Sequence, residues 1–108
     1  MLENKGYVIM ISRKPLYDFA ERFPAASNAL NEWWRKTEEA DWNNFAEIKK
    51  TFNSDDSVGD SRFVFNIRGN NFRLIGMIFF ERKKVYVRGV LTHAEYDALN
   101  ERGELKTL

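Results

Sequence analysis

The chain of 108 residues holds one histidine, His93, and imidazole is the side chain whose unperturbed pKa lies nearest neutrality. It follows Thr92, and Glu95 comes three residues after that threonine, the spacing of a capping box at a helix start. His93 then takes the first helical position, with Tyr96 at i+3 and Asp97 at i+4 on the same side. The free N–H groups and the dipole of such a helix start suit a phosphate. Two arginines, Arg73 and Arg88, stand inside alternating apolar runs. A guanidinium there is costly unless it is paired or faces a cleft that receives an anion. An imidazole, a phenol and a strand arginine at one junction would supply proton transfer and charge stabilisation around a phosphodiester. The competing arrangement is structural: a surface histidine, a core tyrosine, and arginines paired with acids of the helices or the C-terminal tail.

Periodicity supplies the elements that must position these groups. Residues 7–11 (YVIMI) predict a buried first strand. Ser12 reads as an N-cap with Pro15 in the first turn of a helix whose Leu16, Phe19, Ala20 and Phe23 share a face, and Pro24 ends it. Ala26, Leu30, Trp33, Trp34 and Thr37 mark a second helix; Phe45, Ile48 and Phe52 mark a short third one. Residues 53–61 are rich in turn formers and read as a loop. From Arg62 the period becomes two, predicting strands over 62–67, 72–80 and 85–91, joined as antiparallel hairpins by RGNN (68–71) and ERKK (81–84). Pairing Ile67 with Phe72 and Phe80 with Val85 gathers Phe63, Phe65, Ile67, Phe72, Leu74, Ile78, Phe80, Val85, Val87 and Leu91 on one apolar face for the helices to cover. In that register Arg73 lies opposite Asn66 and Thr92, and Arg88 opposite Met77, on the mixed face that also holds Val90.

Composition narrows the chemistry. With no cysteine, thiol catalysis, a disulfide scaffold and a thiolate zinc site are excluded. One histidine leaves a protein-built zinc site needing three carboxylates, so neither metal nor cofactor is expected. The longest N-terminal apolar run has five residues, too short for a signal peptide or a membrane span, and the expectation is a single cytoplasmic domain over 1–108. The net charge of +1 conceals a basic middle: residues 60–93 carry seven basic and two acidic side chains. That segment suits an anionic partner, or it is a solvated ribbon whose cations guard strand edges.

Four stretches, ISRKPLYDFAERFP (11–24), ADWNNFAEIKKTF (40–52), VFNIRGNNFRLI (64–75) and VYVRGVLTHAEYD (85–97), together resemble the HigB family of bacterial type II toxins, within the RelE-like group of mRNA interferases. The resemblance spans about residues 9–99 and leaves residues 1–8 as an N-terminal extension. It implies an α+β, RelE-like fold: a small antiparallel sheet, mixed through its N-terminal strand, with the N-terminal helices on one face and a short C-terminal helix. It also implies metal-free cleavage of mRNA in the ribosomal A site through the substrate's own 2′-hydroxyl, and neutralisation by a HigA-type helix-turn-helix antitoxin.

By the same resemblance Arg73 matches the arginine at the scissile phosphate, while His93 and Tyr96 take the places of the proton-transferring residues. Asn70 matches the asparagine of the Gly-Asn turn, and Arg88 the strand arginine. With Asn66, Arg68, Lys83 and Lys84 they form the expected RNA contacts. Arg68 departs from the pattern, standing where a second glycine is common. The rival expectation is a RelE-fold protein that cleaves nothing and acts on DNA, gyrase or a protein partner, since a fold does not determine a function.

Overall fold

The computed structural model describes residues 9–52 and 56–108. Period-two alternation from residue 62 builds three central strands: β3 (Arg62–Ile67), β4 (Phe72–Phe79) and β5 (Lys84–Thr92). A parallel strand, β1 (Ile9–Ile11), adds to β5, and an antiparallel one, β2 (Asp56–Gly59), adds to β3. The order is β1-β5-β4-β3-β2, a five-stranded mixed sheet. The helices are α1 (Lys14–Arg22), α2 (Ser27–Glu38), α3 (Phe45–Thr51) and α4 (His93–Glu101), which makes the protein α+β as expected.

Alternation divides the sheet into two faces. Phe63, Phe65, Ile67, Phe72, Leu74, Ile78, Val85 and Val87 share one cluster with Leu16 and Phe19 of α1, Leu30, Trp33 and Trp34 of α2, and Ile48 of α3. Phe65 is its hub, with the rings of Trp33 and Phe52 both 5.3 Å away. Phe72 is seated against Phe19 (5.2 Å) and Phe23 (5.6 Å), so α1 grips the start of β4. On the other face a smaller cluster joins Val64 and Ile75 to Leu91, to Tyr96 and Leu99 of α4, and to Leu105 and Leu108 of the C-terminal tail.

Four expectations are corrected. The expected first strand is not buried: an edge strand seen from Ile9, it leaves that residue 54% exposed, while residues 7 and 8, like 1–6, lie outside the described residues. Ser12 is no N-cap: it takes a left-handed conformation (φ 71°) and Arg13 caps α1 without a side-chain bond. Part of the expected loop is strand β2, held by pairing Asp56 with Val64 and Ser57 with Phe63. The second hairpin is displaced, because Ile78 rather than Phe80 faces Val85.

That displacement is partly undone further along. Gly76 pairs with Val87 but Ile75 pairs with Gly89, so Arg88 is an extra residue in β5. Beyond this bulge Val90 joins the helix-covered core and Leu91 the opposite cluster, the reverse of the expected parity. Arg73 faces Asn66 on β3 as expected, but Leu91 rather than Thr92 on β5, and Arg88 is not opposite Met77.

The β3–β4 turn bends through two left-handed residues, Arg68 (φ 53°) and Gly69 (φ 64°). Glycine occupies this region without a Cβ clash, whereas an L side chain there costs about 1 kcal/mol. Arg68→Gly is therefore expected to raise stability by up to about 1 kcal/mol. A fall in the urea midpoint would show that the arginine side chain itself supports the turn.

Candidate active site

Phe72 points into the helix-covered core, so its neighbour Arg73 must point to the other face. There it is only 8% exposed. Its Nη1 donates to the main-chain oxygens of Asn70 and Phe72, both at 3.1 Å, and its Nη2 to Asn70 Oδ1 at 2.8 Å. The guanidinium thus ties the 68–71 turn to the strand it begins. Nε–H and one Nη2–H have no hydrogen-bond acceptor among the described residues. The guanidinium carbon also lies 5.4 Å from the centre of the Tyr96 ring, in cation–π contact.

Tyr96 arrives there because β5 runs straight into α4. Thr92 caps that helix: its hydroxyl accepts from Glu95 N–H at 3.1 Å, and its own N–H donates to Glu95 Oε1 at 2.9 Å. The other carboxylate oxygen of Glu95 lies 3.4 Å from Arg22 Nη2, linking the start of α4 to α1. The capping bond from Thr92, helped by Arg22, holds the Glu95 carboxyl below its ordinary range despite partial burial. One turn on, burial raises the Tyr96 phenol above its ordinary range; Asp56 and Asp97 push the same way and Arg73 opposes them. At neutral pH this residue is a phenol, not a phenolate.

His93 is half-exposed, and its Nδ1 lies 3.0 Å from Asp97 Oδ2. A carboxylate at Nδ1 favours the tautomer that leaves Nε2 free to accept a proton. Arg73, Tyr96 and His93 are therefore gathered at the junction of β4 and α4, Arg73 against the tyrosine and His93 one helical turn away. Asn70 joins them as the residue that holds the arginine.

The other expected RNA contacts disperse, apart from Asn66, the cross-strand partner of Arg73. Lys83 sits in the β4–β5 turn at the far end of the sheet from Arg73. Its ammonium is committed to Asp41 Oδ1 (2.8 Å), Trp42 O (2.9 Å) and Asn43 Oδ1 (2.8 Å). Lys84 lies at that same end, opposite Phe79. Arg88 Nε donates to the main-chain oxygen of Leu108 at 3.0 Å, an oxygen that also receives Arg62 Nε and Nη2 at 3.1 and 2.8 Å. Asn66 and Arg68 border an open hollow of about 590 Å³ with Trp33, Lys36 and Phe52; neither Arg73, His93 nor Tyr96 lines it. Sequence reasoning gave no role to two groups near the site, Asp97 and Asp56. Only Asp97 left a signal, its i+4 spacing from His93. Among the described residues no group of three or more His, Cys, Asp or Glu could hold a metal, and no helix is long and apolar enough to cross a membrane.

A family model described as HigB toxin, the RelE-like toxic component of a toxin–antitoxin system, matches residues 26–99. An mRNA interferase toxin HigB of Escherichia coli (strain K12) is 36% identical over 97 residues, covering 82% of this chain and 86% of the relative. An mRNA interferase HigB of Shigella flexneri matches to the same extent, with 36% identity over 82% of this chain and 86% of the relative. Another, from Escherichia coli O6:H1, is 32% identical over 92 residues, 83% of this chain and 89% of the relative. The family model and the relatives together define a RelE-like toxic component of a toxin–antitoxin pair, and the α+β fold is consistent with it. The chain belongs to the HigB toxin family, and an antitoxin is its partner.

Removing a buried, hydrogen-bonded guanidinium leaves its acceptors unpaired. Arg73→Ala should therefore lower stability by about 1–3 kcal/mol, whatever it does to activity. An unchanged denaturation midpoint would mean that the bonds to Asn70 do not form in solution. For Glu95 the folded carboxyl titrates below its unfolded value. Its contribution is full above the ordinary glutamate range and is lost as pH falls through the lowered folded value. Glu95→Gln keeps an oxygen for Thr92 N–H but removes the charge. The stability gap between wild type and variant should close on acidification, and a constant gap would remove the charge from the account.

Proposed function

We propose that this chain is an mRNA interferase, cutting mRNA in the ribosomal A site by attack of the substrate's own 2′-hydroxyl. The observation that carries the reading is the meeting of Arg73, Tyr96 and the His93–Asp97 pair at the start of α4. RNA brings the nucleophile, so the protein has three tasks: to take the 2′-hydroxyl proton, to steady charge on the phosphorane, and to protonate the departing oxygen.

His93 Nε2 accepts the 2′-hydroxyl proton while Asp97 holds Nδ1–H and stabilises the imidazolium that forms. The 2′-oxygen bonds to phosphorus and the bond to the 5′-oxygen breaks, leaving a cyclic phosphate. The two unengaged N–H groups of Arg73 meet the non-bridging oxygens. Tyr96, kept protonated by burial and by Asp56, gives its proton to the 5′-oxygen. Asn70 is the positioning residue, because it fixes the guanidinium from one side.

The partner is a HigA-type helix-turn-helix antitoxin, and the compartment is the cytoplasm, where ribosomes are. A second reading has one observation in its favour. The three internal bonds of Arg73 are what a purely structural arginine would make, as in a RelE-fold protein that binds DNA, gyrase or another protein without cutting. Induction separates the two: an interferase depletes translated mRNA within minutes, whereas a non-cleaving binder leaves transcripts intact.

His93→Gln and Tyr96→Phe should each slow single-turnover cleavage on programmed ribosomes by ~10²-fold or more. Ribosome binding should change far less, since neither substitution removes a strand cation. Because the His93–Asp97 pair is exposed, His93→Gln should move stability by less than about 1 kcal/mol. Wild-type rates in either variant would take that residue out of the chemistry.

A further inference from the structure

Five cations are held by carboxylates. Lys14, Arg22, Lys36, Lys83 and Arg102 each lie within 4.0 Å of a carboxylate, on Asp18, Glu95, Glu32, Asp41 and Glu104 respectively. Arg62, Arg73, Arg82, Lys84 and Arg88, on or rimming the open sheet face, form no ion pair with Asp or Glu among the described residues. Arg62 and Arg88 share an oxygen of Leu108, the last residue of the sequence, Arg82 touches a ring, and Lys84 has no hydrogen-bond or ion-pair partner among the described residues. Cations left unneutralised on one face create a positive field that an anionic ligand would complete.

Aromatic surface lies between them. The pairing of Met77 with Tyr86 and of Phe79 with Lys84 sets Met77, Phe79 and Tyr86 on the open face, at the opposite end of β4 from Arg73. β1 extends this surface through Ile11, paired with Tyr86, and Ile9, which is 54% exposed. None of the five belongs to either core cluster. Phe79 and Tyr86 meet edge to face at 5.8 Å, and Arg82 lies 5.6 Å from the centre of the Phe79 ring.

We propose that this end of the open sheet face binds the single-stranded RNA that flanks the cleaved bond. Bases stack on Phe79 and Tyr86, and phosphates meet Arg62, Arg82, Lys84 and Arg88. The inference rests on the interferase reading and extends it to a substrate track. Phe79 stands six residues from Arg73 on one strand, about 20 Å away at ~3.3 Å per residue, so the track engages nucleotides well beyond the reacting phosphate. RNA is the favoured occupant because every base has a face to stack, the surrounding cations form no ion pair with Asp or Glu among the described residues, and Arg73 lies on the same face.

The probe is a single-stranded RNA of about twelve nucleotides, methylated at every 2′-oxygen so that it is not cut, titrated into the full-length chain by fluorescence anisotropy. Phe79→Leu and Tyr86→Leu retain apolar bulk while removing a stacking face. Each should weaken binding by about tenfold, with the melting temperature preserved. Tyr86→Phe should bind as wild type, and added salt should weaken every complex. In cleavage of long mRNA the leucine variants should raise KM and leave kcat near wild type.

Unchanged affinity in both leucine variants overturns the proposal, as does a wild-type chain that cuts mRNA but does not bind the probe. Leucine variants that keep RNA affinity but lose the antitoxin complex give the face to the protein partner instead, and also overturn it. Binding that depends on Phe79 and Tyr86 in a chain that cuts no RNA supports the surface and defeats the interferase reading alone.

Discussion

A single extra residue in β5 decides where the chemistry can stand. Before Arg88, β5 pairs with β4 in one register; after it the register has moved by one, and every later side chain changes face. Leu91 thereby lands on the open side with Ile75 and Val64, and α4, which begins directly after Thr92, packs there through Tyr96 and Leu99. Without the bulge Val90 would face Arg73, Leu91 would enter the helix-covered core, and α4 would leave the sheet from the wrong side. The arginine and the helix that carries the imidazole and the phenol meet because of this shift.

The two faces then take on different duties. The helix-covered face is dry and aromatic, and its burial carries the bulk of the stability. The open face has the smaller cluster, and its strand arginines form no ion pair with Asp or Glu among the described residues. Like charges left unpaired disfavour the compact state, and partial burial of Arg73 adds to that cost. Three hydrogen bonds to Asn70 and Phe72 and the Tyr96 ring offset it in part. In the proposed reaction an arginine held this way would not reorganise when a phosphate arrives, which is what makes a preorganised charge effective in a transition state.

Much of this was legible in the sequence, and the failures have physical causes. Strands, hairpins and the Thr92–Glu95 box follow from periodicity and spacing, which are local signals. The bulge left none: Val90 and Leu91 are both apolar, so either parity fills the core equally well. The shifted hairpin left no signal either, because a move of two residues keeps every side chain on its own face. Strand β2 is hidden because Asp56, Ser57 and Gly59 are poor strand formers and take their conformation from pairing with β3. At the site, the types and spacing of His93, Tyr96 and Asp97 were readable along one helix. The burial of Arg73 was not, since its acceptors depend on how a turn with two left-handed residues folds back over its own strand.

The start of α4 is fixed from several directions, and that bears on how the histidine can work. Thr92 is bound within the sheet opposite Phe72, whose ring is itself packed against Phe19 of α1 and Phe23 just past its end. Glu95 closes the capping box on Thr92 and reaches across to Arg22, also on α1. One helix thus steadies both the strand that carries Arg73 and the helix that carries His93 and Tyr96. His93 is half-exposed and its own pair with Asp97 is worth little in stability, so its placement comes from the backbone beneath it rather than from its contacts. In the proposed reaction, a proton acceptor that is open to substrate yet rooted in a capped helix start would meet a bound 2′-hydroxyl without first being ordered, the entropy of alignment having been spent in folding.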